Sequence, residues 1–132
     1  MANDLGKLTL RLTLGILMLL HGIAKITGGI GGIEKMVQSA GMPGFFAYGV
    51  YIGEVVAPIL LILGLYARIG AAVIMVNMLF ALLLAHRADL FLIGPAGGWA
   101  LELQGMYFFT AVAISLLGAG RYSLGGATGR WN

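Results

Sequence analysis

The residue in this sequence best placed to do chemistry is Glu54, which stands nine residues into an apolar run that begins at Phe45. At about 1.5 Å of rise per residue, a helix would carry it roughly 13 Å below the start of that run. An ionised side chain at the centre of a bilayer costs about 2.5 to 3.5 kcal/mol on insertion scales. A carboxyl at that depth must therefore be paired, hydrated or useful, and it could take up and deliver a proton. Pro58 follows four residues later and has no N–H, so the Glu54 carbonyl loses its usual helical donor. Carbonyl and carboxyl at one turn thus both need a partner from a neighbouring helix or from water.

The candidate partners are basic. In the first apolar run Arg11, Gly15, Met18, Gly22 and Lys25 recur at spacings of four and three, which puts them on one helical face with His21 beside it. His86 closes the third run, and Trp99 and Glu102 open the fourth. If the runs cross alternately up and down, His21, Lys25, Glu54, His86 and Glu102 share one half of the membrane. The expected arrangement pairs Glu54 and Glu102 with Lys25, His21 or Arg11 in a pocket walled by Tyr48, Tyr51, Trp99 and Tyr107, open to the non-cytoplasmic face. Simpler readings stand beside this one. Arg11 and Lys25 could snorkel to the two surfaces while the glycines allow close helix packing. Glu102 suits the positive end of a helix dipole. Asn77 reads as a hydrogen bond between helices and the seven methionines as core filler.

The elements that must position these residues follow from composition. The chain has 132 residues, 60% hydrophobic and 10% charged, with a mean hydropathy of +0.97. A soluble domain carries about 25% charged residues, so this chain is an all-α integral membrane protein of one domain. Apolar runs at about 8–24, 45–65, 69–85 and 100–117 match the hydrocarbon thickness and predict a four-helix transmembrane bundle. Residues 27–44 hold six glycines and Pro43 and predict a loop with a short interfacial helix over 33–39. The second and third runs meet at Tyr66–Arg68, a turn short enough to require an antiparallel hairpin. The tail from Gly118 is polar and glycine-rich.

Lys7, Arg11, Arg68, Arg121 and Arg130 fall on one side of this arrangement and Lys25, Lys35 and Arg87 on the other. The positive-inside bias places both termini in the cytoplasm. The net charge of +3 forms no patch that could track phosphates, which argues against nucleic acid and for anionic lipid. The absence of cysteine excludes dithiol exchange, cysteine-ligated iron-sulfur clusters and thiolate zinc sites, and no metal-ligand set is evident.

Arg11 and Gly15, the His21-Gly22-x-x-Lys25 run, the glycine-rich loop, Glu54, Gly64-x-x-x-Arg68 and the closing Gly118-Ala119-Gly120-Arg121-Tyr122-Ser123-Leu124 together resemble the DoxX family of small bacterial membrane proteins. The resemblance runs from about Lys7 to Leu124, and Gly125 departs from it where the family often has an acidic residue. It implies a four-helix protein of the bacterial inner membrane, related to a subunit of a thiosulfate:quinone oxidoreductase. The positions carried over are Arg11, Gly22, Lys25, Glu54 and Arg68.

On that resemblance the leading expectation is the membrane subunit of a quinone-linked redox system with a soluble or membrane redox partner. Glu54 or His21 would handle the proton, Lys25 or Arg11 would stabilise developing negative charge, and Tyr51, Trp99 and Glu102 would complete the quinone site. The sequence holds no complete catalytic set of its own. A non-enzymatic anchor or assembly partner and a proton-coupled transporter of small molecules remain alternatives. A b-type haem held by His21 and His86 is a further one, since it needs no cysteine. Glycine faces on short spans are also compatible with a homodimer.

Overall fold

The computed structural model of the chain describes the backbone of residues 1–132 and every side chain except that of His86. Helix α1 runs over Ala2–Gly28, α2 over Gly31–Ser39, α3 over Gly44–Leu63, α4 over Ala67–Ala85 and α5 over Glu102–Leu117. Three of them, α1, α3 and α4, are long and apolar enough to cross a membrane. The fourth apolar run forms a helix of 16 residues, about 24 Å against a hydrocarbon core of about 30 Å.

The first helix extends beyond the apolar run at both ends, because hydropathy marks only the part that suits lipid. Asp4 sits in its first turn and Lys25 in its last, each complementing the local end of the helix dipole. It stops where Gly29 adopts a φ of +81° and its N–H closes back on the Lys25 carbonyl at 2.8 Å. Helix α3 opens with a tight 3-10 stretch over Gly44–Tyr48 and widens into a π turn over Ile52–Val56. Pro58 supplies the cause of the widening: it has no N–H to give the Glu54 carbonyl, and the Ala57 N–H reaches back five residues to Ile52 instead. The corner into α4 lies at residues 64–66, slightly earlier than the sequence suggests, with Gly64 and Tyr66 both at positive φ.

The four long helices form a ring in which α3 lies between α1 and α4, and α5 packs on both α4 and α1. Leu14, Met18, Leu61, Ile74 and Ile114 fill its centre. Two glycines set the distance between α1 and α3. A Cβ on Gly15 would come within 2.8 Å of the Ile62 side chain, and one on Gly22 would overlap the Glu54 carbonyl oxygen. The Gly22 Cα hydrogen therefore faces the carbonyl that Pro58 leaves without a helical donor, the arrangement of a weak C–H···O contact. Gly22→Ala forces the two backbones apart and is expected to destabilise the protein by about 1–3 kcal/mol. Gly6, also in α1, has no neighbour within 4 Å of such an atom, so Gly6→Ala gains helix propensity and leaves the melting temperature equal or higher. Thermal unfolding of the two variants in one detergent checks the contrast.

The tail is not a loose polar segment. Leu124 and Gly125 donate to the carbonyls of Leu63 and Gly64 at 3.0 Å, and the Arg121 N–H donates to Asp4 Oδ1 at 3.0 Å. The Asn132 side chain accepts from Ala67 N at 3.1 Å and donates to the Gly126 carbonyl at 2.8 Å. Arg68 donates from Nη1 to the carbonyls of Ser115 and Leu116 at 2.8 and 2.9 Å, closing the C-terminal end of α5. At the opposite end of the ring α2 builds a small second core from Ile30, Val37 and Ala47.

Candidate functional site

Three helices meet at Glu54. Lys25, in the last turn of α1, places its Nζ 2.6 Å from Glu54 Oε1. Asn77, near the middle of α4, directs Nδ2 at Oε2 from 3.5 Å, at the outer limit of a hydrogen bond. Tyr51, one turn before Glu54, donates its hydroxyl to the Lys25 carbonyl at 3.3 Å and so ties the end of α1 to α3. Glu54 is buried, with 5% of its surface exposed, whereas the Lys25 side chain retains 26%. The sequence expected a deep carboxylate paired with a basic residue of the first helix, and the structure pairs it with Lys25.

Glycines again make the approach close enough. Gly22 lets α1 lie against the Glu54 turn, and a Cβ on Gly53 would stand 2.5 Å from the Asn77 side chain. Asn77 is thus a member of the cluster and not merely a link between helices. Gly53 next to a mid-span carboxylate was the sequence signal for a second close contact, but it does not say with which helix.

The cluster lines a groove of about 940 Å³ on the outer faces of α3 and α4. Its walls are mostly apolar, including Val50, Val76, Phe80 and Leu84. Ile33 and Met36 of α2 border one end of it, and Arg68 and Trp131 border the other. Lys25, Glu54 and Asn77 are polar groups part-way along an apolar trough, the composition typical of a site for a small amphiphilic molecule.

The remaining expected members lie elsewhere. Arg11 is fully buried, fourteen residues before Lys25 on α1, which puts it about 21 Å away along the axis. Its Nε donates to the Ala119 carbonyl at 3.0 Å, Nη1 to Leu61 at 2.6 Å and to Ile62 at 3.4 Å, and Nη2 to Tyr122 at 2.5 Å. A shared helical face put Arg11 and Lys25 on one side of α1, yet the same spacing sets them far apart along the helix. Arg11 joins helix ends and tail and does not reach Glu54. His21 turns toward α5, its Nε2 3.3 Å from the Tyr107 hydroxyl with the rings edge to face at 5.8 Å. Glu102 is exposed in the first turn of α5, its carboxylate turned back toward Gly98, where the helix dipole favours an anion. Trp99 donates its indole N–H to the Leu90 carbonyl at 2.7 Å and lays its ring on Gly105. The His86 side chain lies outside the described residues, so the geometry of a His21 and His86 pair does too. No three His, Cys, Asp or Glu converge among the described residues.

Comparison with known proteins locates the chain more firmly. A family model described as DoxX matches residues 6–87. A protein of Bacillus subtilis (strain 168) named "Putative oxidoreductase CatD" is 32% identical over 117 residues, which cover 88% of this chain and 81% of that protein. No solved structure matches the chain.

Proposed function

Because the chain belongs to the DoxX family of membrane proteins, we propose that it is a multi-pass inner-membrane subunit of a quinone-linked redox system, with Lys25, Glu54 and Asn77 as the polar end of the quinone site. In this reading α5 makes a fourth crossing and both termini face the cytoplasm. The end of the ring that holds the 64–66 corner and the folded tail carries Lys7, Arg11, Arg68, Arg121 and Arg130, as the positive-inside rule requires of a cytoplasmic end. The named relative lends the word oxidoreductase, which comes to this chain as part of the proposal.

The observation that carries the reading is the 2.6 Å Lys25–Glu54 pair set in the wall of an apolar groove of about 940 Å³. The groove fits a lipid-soluble ring and tail. Lys25 and Asn77 offer N–H donors suited to ring oxygens, and the groove carries the tail along α3 and α4. A bound quinone supplies an acceptor for electrons and protons. Lys25 would stabilise negative charge at a ring oxygen, and Glu54 would hold a proton for exchange there. Electrons reach the site from a redox partner, soluble or membrane-bound.

Protein purified in mild detergent should yield quinone on organic extraction, in an amount that falls several-fold for Asn77→Leu, which removes one donor and keeps the volume. No quinone from the wild type, together with no response to added ubiquinol or menaquinol, rejects the reading. One observation favours a second reading. Gly22 and Gly53 press three helices onto Glu54, which is also what a purely structural lock in a membrane anchor would need. An anchor retains a partner protein on affinity capture while its lipid extract contains no quinone.

A further inference from the structure

The connection between α4 and α5 presents apolar side chains suited to contact with lipid. From Leu90 to Leu101 it contains no charged residue. Phe91, Leu92 and Ile93 expose 93%, 53% and 75% of their surfaces. Exposure on this scale in three successive apolar side chains is out of place in water. Part of its backbone is bonded within the segment. Gly94 N–H donates to Gly98 O at 2.6 Å, Gly97 N–H to Gly94 O at 3.0 Å and Ala100 N–H to Leu92 O at 3.0 Å, while Ile93 and Trp99 pair as an antiparallel bridge. Trp99 closes the base through its bond to the Leu90 carbonyl and rests on Gly105 of α5. The N–H groups of Ile93, Ala96, Gly98 and Trp99 have no backbone partner among these bonds, so the segment suits the headgroup boundary, where water reaches them, and not the hydrocarbon centre.

The heights of the flanking helices say where the segment sits. Arg68 holds the carbonyls of Ser115 and Leu116, so the start of α4 and the end of α5 are level. From there α4 rises about 26 Å to Ala85, whereas α5 rises about 20 Å from Ser115 to Glu102. The connection therefore joins two helix ends that differ in height by about one helical turn. Lipid-facing residues border it below, with Leu83, Leu103 and Met106 all exposed on the adjoining helices. We propose that residues 90–101 form a hairpin at the headgroup boundary of the leaflet opposite the tail, with the side chains of Phe91, Leu92 and Ile93 inserted among the upper acyl chains and Trp99 pinning the hairpin to α5. The hairpin supplies the thickness that the 16 residues of α5 lack. Glu102 turns its carboxylate back toward Gly98, as a charged group beside a hairpin at the headgroup boundary can.

The chain has no cysteine, so a single label can be placed without background. Ile93→Cys carrying an environment-sensitive fluorophore, reconstituted in phosphatidylcholine and phosphatidylglycerol vesicles, is compared with Gly126→Cys in the tail. The proposal expects blue-shifted emission at position 93, quenching by lipids that carry a spin label on the upper acyl chain, and several-fold weaker quenching by iodide than at position 126 under matched exposure to iodide on both faces. Iodide quenching equal to that at position 126 overturns it. Blue-shifted emission without quenching by the labelled lipids overturns it as well, because the residues would then face protein. A thermal melt matching the wild type confirms that each labelled variant is folded.

Discussion

Replacing Arg11 by Met is expected to unfold the tail end of the protein or to lower its melting temperature strongly. The guanidinium holds the last carbonyls of α3 and the start of the tail at once, with contacts to Leu61, Ala119 and Tyr122 between 2.5 and 3.0 Å. Loss of the donor leaves these buried acceptors empty at about 1–3 kcal/mol for each unsatisfied group, so a loss of about 3 kcal/mol is a lower bound. Arg11→Lys keeps the charge but not the planar fork, and an ammonium cannot face carbonyls on two sides with the same geometry. It should recover only part of the loss. Intrinsic fluorescence follows this well, since Trp131 lies in the tail segment that Arg11 holds at Ala119 and Tyr122. Limited proteolysis should in addition cut the tail of Arg11→Met after Arg121 or Arg130 at protease concentrations that leave the wild type intact.

The second large effect concerns the ion pair. Lys25→Met strands a carboxylate that is 5% exposed and, among the described residues, keeps only Asn77 within reach. Removal of one partner from a buried pair typically destabilises by about 3–5 kcal/mol. Glu54→Gln should be milder, because Lys25 lies in the last turn of α1 with 26% of its side chain exposed and can turn its ammonium toward the surface. The double variant Lys25→Met with Glu54→Gln leaves no charge unpaired and fills nearly the same volume. Its melting temperature should return close to that of the wild type, with a coupling energy that the two single variants reveal. A double variant no more stable than Lys25→Met would mean that the pair does not couple the helices.

Much of this arrangement was legible in the sequence, and the parts that were not share a cause. The depth of Glu54, its conflict with Pro58 and the small residues opposite it follow from periodicity and chain geometry, which are local. Pairing with Lys25 and not with Arg11 depends on height along α1, which the shared face conceals. Trp99 and Glu102 were expected in the pocket because the fourth run begins on that side of the membrane. Trp99 instead bonds the Leu90 carbonyl, and Glu102 turns back toward Gly98. Asn77 was read as a link between helices but not as part of the site, since only the packing of α4 on Gly53 brings it to Glu54. The tail looked like a polar appendage. Its hydrogen bonds join residues more than fifty positions apart, to Asp4, Arg11, Leu63 and Ala67, and no local pattern announces them.

The charge-neutral double variant also provides the most direct test of the claim that the cluster at Glu54 binds quinone. It separates the site from the lock, because the fold keeps its packing while the groove loses its charged donor and its carboxyl. Wild-type and double-variant protein are embedded in nanodiscs, equilibrated with a radiolabelled long-chain quinone and assayed for the quinone retained above protein-free discs. The account predicts saturable retention by the wild type and at least a several-fold loss by the double variant at equal thermal stability. Equal retention by the two proteins, both folded, would contradict it.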